Sequence, residues 1–110
     1  MQEALQDLGF TKNESLVIAF FANTKEADQR DIEIACGIRQ SEVSVVMKSL
    51  KARGIITYHE VSDGRAARPK KIYSMIRHMV THNLEKKIEA EYDARMNALD
   101  NVRRILNDNI

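Results

Sequence analysis

Residues 31–54 read Asp31-Ile32-Glu33-Ile34-Ala35-Cys36-Gly37-Ile38-Arg39-Gln40-Ser41-Glu42-Val43-Ser44-Val45-Val46-Met47-Lys48-Ser49-Leu50-Lys51-Ala52-Arg53-Gly54. Two helical patterns meet here across a Gly-Ile turn, and the second ends on a glycine. Gly37 lacks a Cβ and can take the positive φ that a sharp inter-helix turn needs. Ile38 is then an apolar plug beneath the turn, and Gln40 or Ser41 opens the second helix. Val43, Val46, Met47 and Leu50 recur at helical spacing and mark its core face. This is the sequence form of a helix-turn-helix, a motif whose second helix presents its outer face to a DNA major groove.

Upstream, residues 3–8 suit a short helix carrying Leu5 and Leu8, closed by Gly9. Thr11-Lys12-Asn13-Glu14 has the form of a capping box, in which hydroxyl and carboxylate satisfy each other's orphan amides. The helix behind it carries Leu16, Val17, Ala19, Phe20 and Phe21 and fades at Asn23-Thr24. Asp28 is the best cap for the next helix, about Gln29 to Cys36, with Ile32 and Ala35 inward.

Downstream of Gly54 the period changes. Ile55-Ile56-Thr57-Tyr58-His59-Glu60-Val61 is β-branched and aromatic, as strands are. Ser62-Asp63-Gly64-Arg65-Ala66-Ala67-Arg68-Pro69 is turn chemistry, and Lys70-Lys71-Ile72-Tyr73-Ser74 returns as a second strand. The result is a β-hairpin with a long basic tip. From about Arg77 onward there is neither Gly nor Pro, and Val80, Leu84, Ile88, Tyr92, Met96, Leu99, Val102, Leu106 and Ile110 follow one another at steps of three or four. One long helix with a continuous apolar stripe is predicted, roughly 50 Å at 1.5 Å per residue. Such a stripe faces water over much of its length unless another chain covers it, the alternative being that the helix folds back over its own domain. The fold class is therefore mainly α with a small β-hairpin, divided into a winged helix-turn-helix over residues 1–75 and a C-terminal dimerisation helix over residues 76–110.

Composition sets the limits. The chain has 110 residues, 44% hydrophobic and 30% charged, which suits a folded globular protein rather than a disordered one. No run of about 18 apolar residues predicts a membrane helix, and the polar first ten residues do not read as a signal peptide. A single cysteine excludes an internal disulfide and fits a reducing, cytoplasmic setting. Net charge is +1 overall, but unevenly spread. Residues 1–38 hold three basic against seven acidic residues, a net of −4. Residues 39–75 hold eight against three, a net of +5, and residues 76–110 balance six with six. A local basic stripe is the footprint of a phosphate-binding surface.

The order helix, helix, turn-helix, hairpin, long helix resembles the winged helix-turn-helix transcription regulators, and among them the archaeal TrmB-like and MarR-like proteins. The likeness is carried by Leu8-Gly9-Phe10-Thr11-Lys12-Asn13-Glu14, similar to a TrmB-type "LGLTxxE" opening, and by Gly37-Ile38-Arg39-Gln40-Ser41-Glu42-Val43. Leu50-Lys51-Ala52-Arg53-Gly54-Ile55-Ile56, Gly64-Arg65 and Arg68-Pro69-Lys70-Lys71-Ile72-Tyr73 complete it. Glu33 departs from the pattern, standing where such motifs place a small Ala. The sequence also ends after the long helix, without the sugar-binding domain that full-length TrmB-type regulators carry. The resemblance implies sequence-specific binding of double-stranded DNA by a homodimer, with the second motif helix in the major groove and the wing against the backbone or minor groove.

Candidate DNA contacts follow. Arg39, Gln40, Ser41, Ser44, Val45 and Lys48 lie at the entrance or on the outer face of the second motif helix. Ser, Gln, Lys and Arg can donate to phosphates or base edges, and an exposed Val can meet a thymine methyl. Arg65, Arg68, Lys70 and Lys71 give the wing its positive charge, suited to phosphates or a minor groove. Leu84, Ile88, Tyr92, Met96, Leu99, Val102 and Leu106 are the candidate dimer interface. His78 and His82 share a helical spacing, but lack the three or four ligands and second shell of a metal site, so no metal and no cofactor are expected. Cys36, next to the turn, reads as a small buried core residue. No nucleophile motif, Gly-rich phosphate loop or acid pair appears, so an enzyme is not expected. Nothing in the residues names an effector. The competing reading is a protein–protein module of a larger transcription or repair assembly that keeps the winged-helix shape.

Overall fold

In the computed structural model, which describes residues 1–62, 64 and 68–108, four helices precede a hairpin and a fifth helix follows it. The elements are α1 (Gln2–Asp7), α2 (Lys12–Ala22), α3 (Gln29–Cys36), α4 (Gln40–Ala52), β1 (Ile56–Val61), β2 (Lys70–Met75) and α5 (Arg77–Asp108). Residues Met1–Val80 form one compact unit, and the chain from Thr81 onward forms a second.

Helix ends in the first unit are written locally. Phe10 N–H reaches Leu5 O at 3.0 Å and Gly9 N–H reaches Gln6 O at 3.0 Å, closing α1 in a Schellman turn with Gly9 at φ 111°. Its apolar partners Leu5 and Phe10 are both buried. The closure recurs at α4, where Ile55 N–H bonds Leu50 O and Gly54 N–H bonds Lys51 O, each at 3.0 Å. Both predicted N-caps form capping boxes, Thr11 with Glu14 and Asp28 with Asp31.

The core is built from Val17, Ile18 and Phe21 of α2, Ile32 of α3, Val43, Val46, Met47 and Leu50 of α4, and Ile55, Ile56 and Tyr73 at the hairpin base. All four predicted core residues of α4 are buried. On α3 the expectation needs correcting, because Ile32 is buried but Ala35 is exposed. Cys36 lies four residues from Ile32, so it shares the inner face that Ala35 turns away from. Even so Cys36 is half-buried rather than a core residue, and burial pushes its thiol above the ordinary value.

β1 and β2 pair antiparallel, with Tyr58 opposite Tyr73 and Glu60 opposite Lys71. The outer edge of β2 is also paired, since Ala27 and Tyr73 exchange backbone hydrogen bonds of 3.0 and 2.8 Å. The chain just before α3 thus anchors the wing. In α5 no described residue is buried, and no helix among the described residues is long and apolar enough to cross a membrane.

Candidate nucleic-acid interface

Gly37 ends α3 in the left-handed region, at φ 65° and ψ 33°, and its amide bonds Glu33 O at 2.9 Å. The chain reverses there, and Arg39 becomes the N-cap of α4 in extended conformation. Glu42, three residues on, accepts from the Arg39 amide at 3.4 Å and pairs with its guanidinium at 3.9 Å. The Arg39 side chain remains 89% exposed.

α2 pins α4 from beneath. Asn13 Nδ2 donates to Glu42 Oε2 at 3.1 Å. Glu14, only 4% exposed, accepts from the Thr11 amide at 2.8 Å and from the Ser49 hydroxyl at 2.9 Å, and lies 3.7 Å from the Arg53 guanidinium. Burial alone would raise the Glu14 carboxyl, but the Thr11 amide, the Ser49 hydroxyl and the Arg53 charge outweigh it and hold it below the ordinary value. Successive residues of one capping box therefore fix the N-terminal and C-terminal turns of α4.

With its core face held, α4 stands as a ridge between two concavities. On the wing side a cleft of about 1070 Å³ is lined by Gln40, Ser44, Lys48 and Lys51 of α4, by Tyr58, Arg68, Pro69, Lys70, Lys71 and Tyr73 of the hairpin, and by Asp28, Gln29, Arg30, Glu33 and Ile34 around α3. A smaller concavity on the other flank is lined by Ser41, Glu42, Val45 and Val46 with Thr11, Lys12 and Asn13. Val45 is 70% exposed.

Charge in the larger cleft is one-sided. Arg30, Lys48, Lys51, Arg68, Lys70 and Lys71 face only Asp28 and Glu33. Asp28 is already committed, with Lys70 Nζ 2.7 Å from its Oδ2 while its Oδ1 caps α3. The Lys70 hydrogen bond and the Asp31 amide geometry hold the Asp28 carboxyl below its ordinary value. Lys70 therefore ties the wing to the start of α3.

Of the sequence-predicted contacts, Gln40, Ser44, Lys48, Arg68, Lys70 and Lys71 come together in the larger cleft, Ser41 and Val45 line the smaller one, and Arg39 caps the ridge. Arg65 lies outside the described residues. Sequence reading missed Lys12, Asn13, Gln29, Arg30, Lys51 and Tyr58, which reach the clefts through packing between elements. Along α5, Ile88, Tyr92, Leu99, Val102 and Leu106 are exposed, Leu84 and Met96 are half-buried, and Ile105, 59% exposed, joins the apolar residues. His78 and His82 are exposed, and no group of three or more metal-ligating side chains occurs among the described residues.

The family model for the sugar-specific transcriptional regulator TrmB matches residues 5–79. No curated protein matches the sequence. Among solved structures, a protein described as a possible transcriptional regulator from Methanosarcina mazei Go1 shares 19% identity over 89% of this chain and 85% of its own, at a TM-score of 0.76. Bordetella bronchiseptica BpsR, studied for regulation of its DNA binding by 6-hydroxynicotinic acid, shares 19% identity over 90% and 81%, with TM-score 0.57. A MarR family regulator from Neisseria meningitidis shares 18% identity over 99% and 87%, with TM-score 0.56. At these identities the likeness is one of fold.

Proposed function

The chain belongs to the TrmB family of transcriptional regulators, and from that premise we propose that it binds double-stranded DNA sequence-specifically as a homodimer. The observation that carries the reading is the larger cleft, where polar groups of α4 and cations of the wing face one space with almost no opposing carboxylate. In this reading α4 enters the major groove. Arg39, Gln40, Ser41, Ser44 and Lys48 reach base edges or phosphates, and Val45 meets a thymine methyl. Arg68 and Lys71 of the wing neutralise phosphates, as would Arg65, while Lys70 holds the wing in place. The two-domain division, with α5 as the dimerisation element, is part of the same proposal. It is supported by the exposed Ile88, Tyr92, Leu99, Val102 and Leu106, because a second copy is the natural cover for an apolar stripe of that length.

Fluorescence anisotropy on a generic duplex over a range of salt tests the reading. Six or more phosphate contacts per dimer would give a log K against log salt slope of about −5 or steeper. A flat response would instead favour a winged helix that binds only other proteins.

A further inference from the structure

Side chains of α4 and β2 converge on one aromatic ring of β1. Lys51, in the last turn of α4, holds its Nζ 4.3 Å from the centroid of Tyr58. Lys71 of β2 holds its Nζ 4.8 Å from the same centroid. Those two distances bound the separation of the ammonium nitrogens at about 9 Å. Tyr58 itself is fixed, tilted against Tyr73 with centroids 5.7 Å apart, and Tyr73 is buried and bonded through its backbone to Ala27.

Two ammonium groups that share one ring, no more than about 9 Å apart, concentrate positive charge on this wall of the cleft, and the negative face of the ring offsets it only in part. Among the described residues no carboxylate lies within ion-pair distance of Lys51 or Lys71. Glu60 stands opposite Lys71 in the hairpin register, yet the Lys71 ammonium sits over Tyr58 instead. The neighbouring Lys70, by contrast, is paired with Asp28. All three members of the cluster line the larger cleft beside Ser44 and Lys48. An anion entering that cleft completes the arrangement.

We propose that Lys51 and Lys71, held by Tyr58, form a subsite for the phosphodiester backbone of duplex DNA. The proposal rests on the duplex-binding reading of this face and adds to it Lys51 as a contact and Tyr58 as a positioning residue. Successive phosphates on one strand rise roughly 3.4 Å along the helix axis, and two ammonium groups no more than about 9 Å apart suit one phosphate or two in succession. The ring supplies what flexible lysines lack, a fixed seat that reduces the side-chain freedom lost on binding.

The test measures duplex affinity by anisotropy from low to physiological salt for the full chain and three variants. Lys51→Met keeps the aliphatic stem on the ring and removes the charge. It is expected to weaken binding at physiological salt about two- to fivefold and to make the log K against log salt slope shallower by about 0.9 per bound protomer. Tyr58→Leu leaves both charges and is expected to weaken binding about two- to threefold with a smaller change in slope, whereas Tyr58→Phe retains the ring face and binds like the parent. If the parent binds with a steep slope and Lys51→Met matches it in affinity and slope, the subsite is wrong and the duplex reading stands. If the parent shows no salt-dependent binding, the duplex reading itself fails. A millimolar inorganic phosphate arm at constant ionic strength checks the source, since Tyr58 ring resonances that shift with phosphate alone and not with duplex would overturn the assignment to DNA.

Discussion

Replacing Glu14 by alanine tests the contact that fixes α4 on α2. The substitution removes the acceptor for the Thr11 amide at 2.8 Å and for the Ser49 hydroxyl at 2.9 Å, and the partner of Arg53 at 3.7 Å. The Thr11 hydroxyl still caps the residue-14 amide, so on that side only the bond from the Thr11 amide is lost, about 1 kcal/mol, and losing the buried Ser49 hydrogen bond to a charged group costs about 1.5–3 kcal/mol. The Arg53 pair, with a side chain 41% exposed, adds less than about 1 kcal/mol after screening. Glu14→Ala is expected to cost about 2–4 kcal/mol in urea unfolding, seen as a lower midpoint at unchanged slope. Coupling to Ser49→Ala in a double-mutant cycle should be about 1 kcal/mol. The carboxyl is held below its ordinary value of 4.5 in the folded chain, so its contribution is present above that pH and is lost as pH falls through the folded value. Glu14→Gln should therefore lose less stability than the parent on acidification. A cost below about 1 kcal/mol together with zero coupling would refute the reasoning.

Further outcomes follow from the same geometry. Arg68→Ala should weaken all duplexes alike and make the salt slope shallower by about 1, whereas Gln40→Ala or Lys48→Ala should change which sequences are preferred, both read by anisotropy on a duplex panel. Changing Leu99 and Leu106 together to Lys should yield monomer by light scattering, and an unchanged mass would reject the interface on α5. Gly37→Ala should cost about 1–2 kcal/mol in urea unfolding from its φ of 65° alone, because an added Cβ there meets nothing within 4 Å.

What could be read in advance was what is written locally. Thr11 with Glu14, Asp28 ahead of α3, Gly37 and Gly54 each act within a few residues, and each structure they imply is present. The spacing of Val43, Val46, Met47 and Leu50 gave the inner face of α4 for the same reason. Ala35 was misplaced because a helix of eight residues offers two turns, too few for periodicity to separate Ala35 from Cys36. Contacts between distant segments left no local trace. Glu14 bonding Ser49, Ala27 pairing with Tyr73, and Lys51 reaching Tyr58 all require α2, α4 and the hairpin to be packed first. The wing register, with Tyr58 opposite Tyr73, depends on how the loop between β1 and β2 closes, which composition alone does not fix.

The most direct measurement is selection of bound duplexes from a random library by the full chain, followed by the affinity ratio of the selected duplex to a random one at physiological salt. A sequence-specific homodimer selects an approximately palindromic site with half-sites about 10 bp apart, binds it as two protomers per duplex, and prefers it by a ratio of about 10³ or more. No enriched sequence, with equal affinity for selected and random duplexes, would contradict sequence-specific binding.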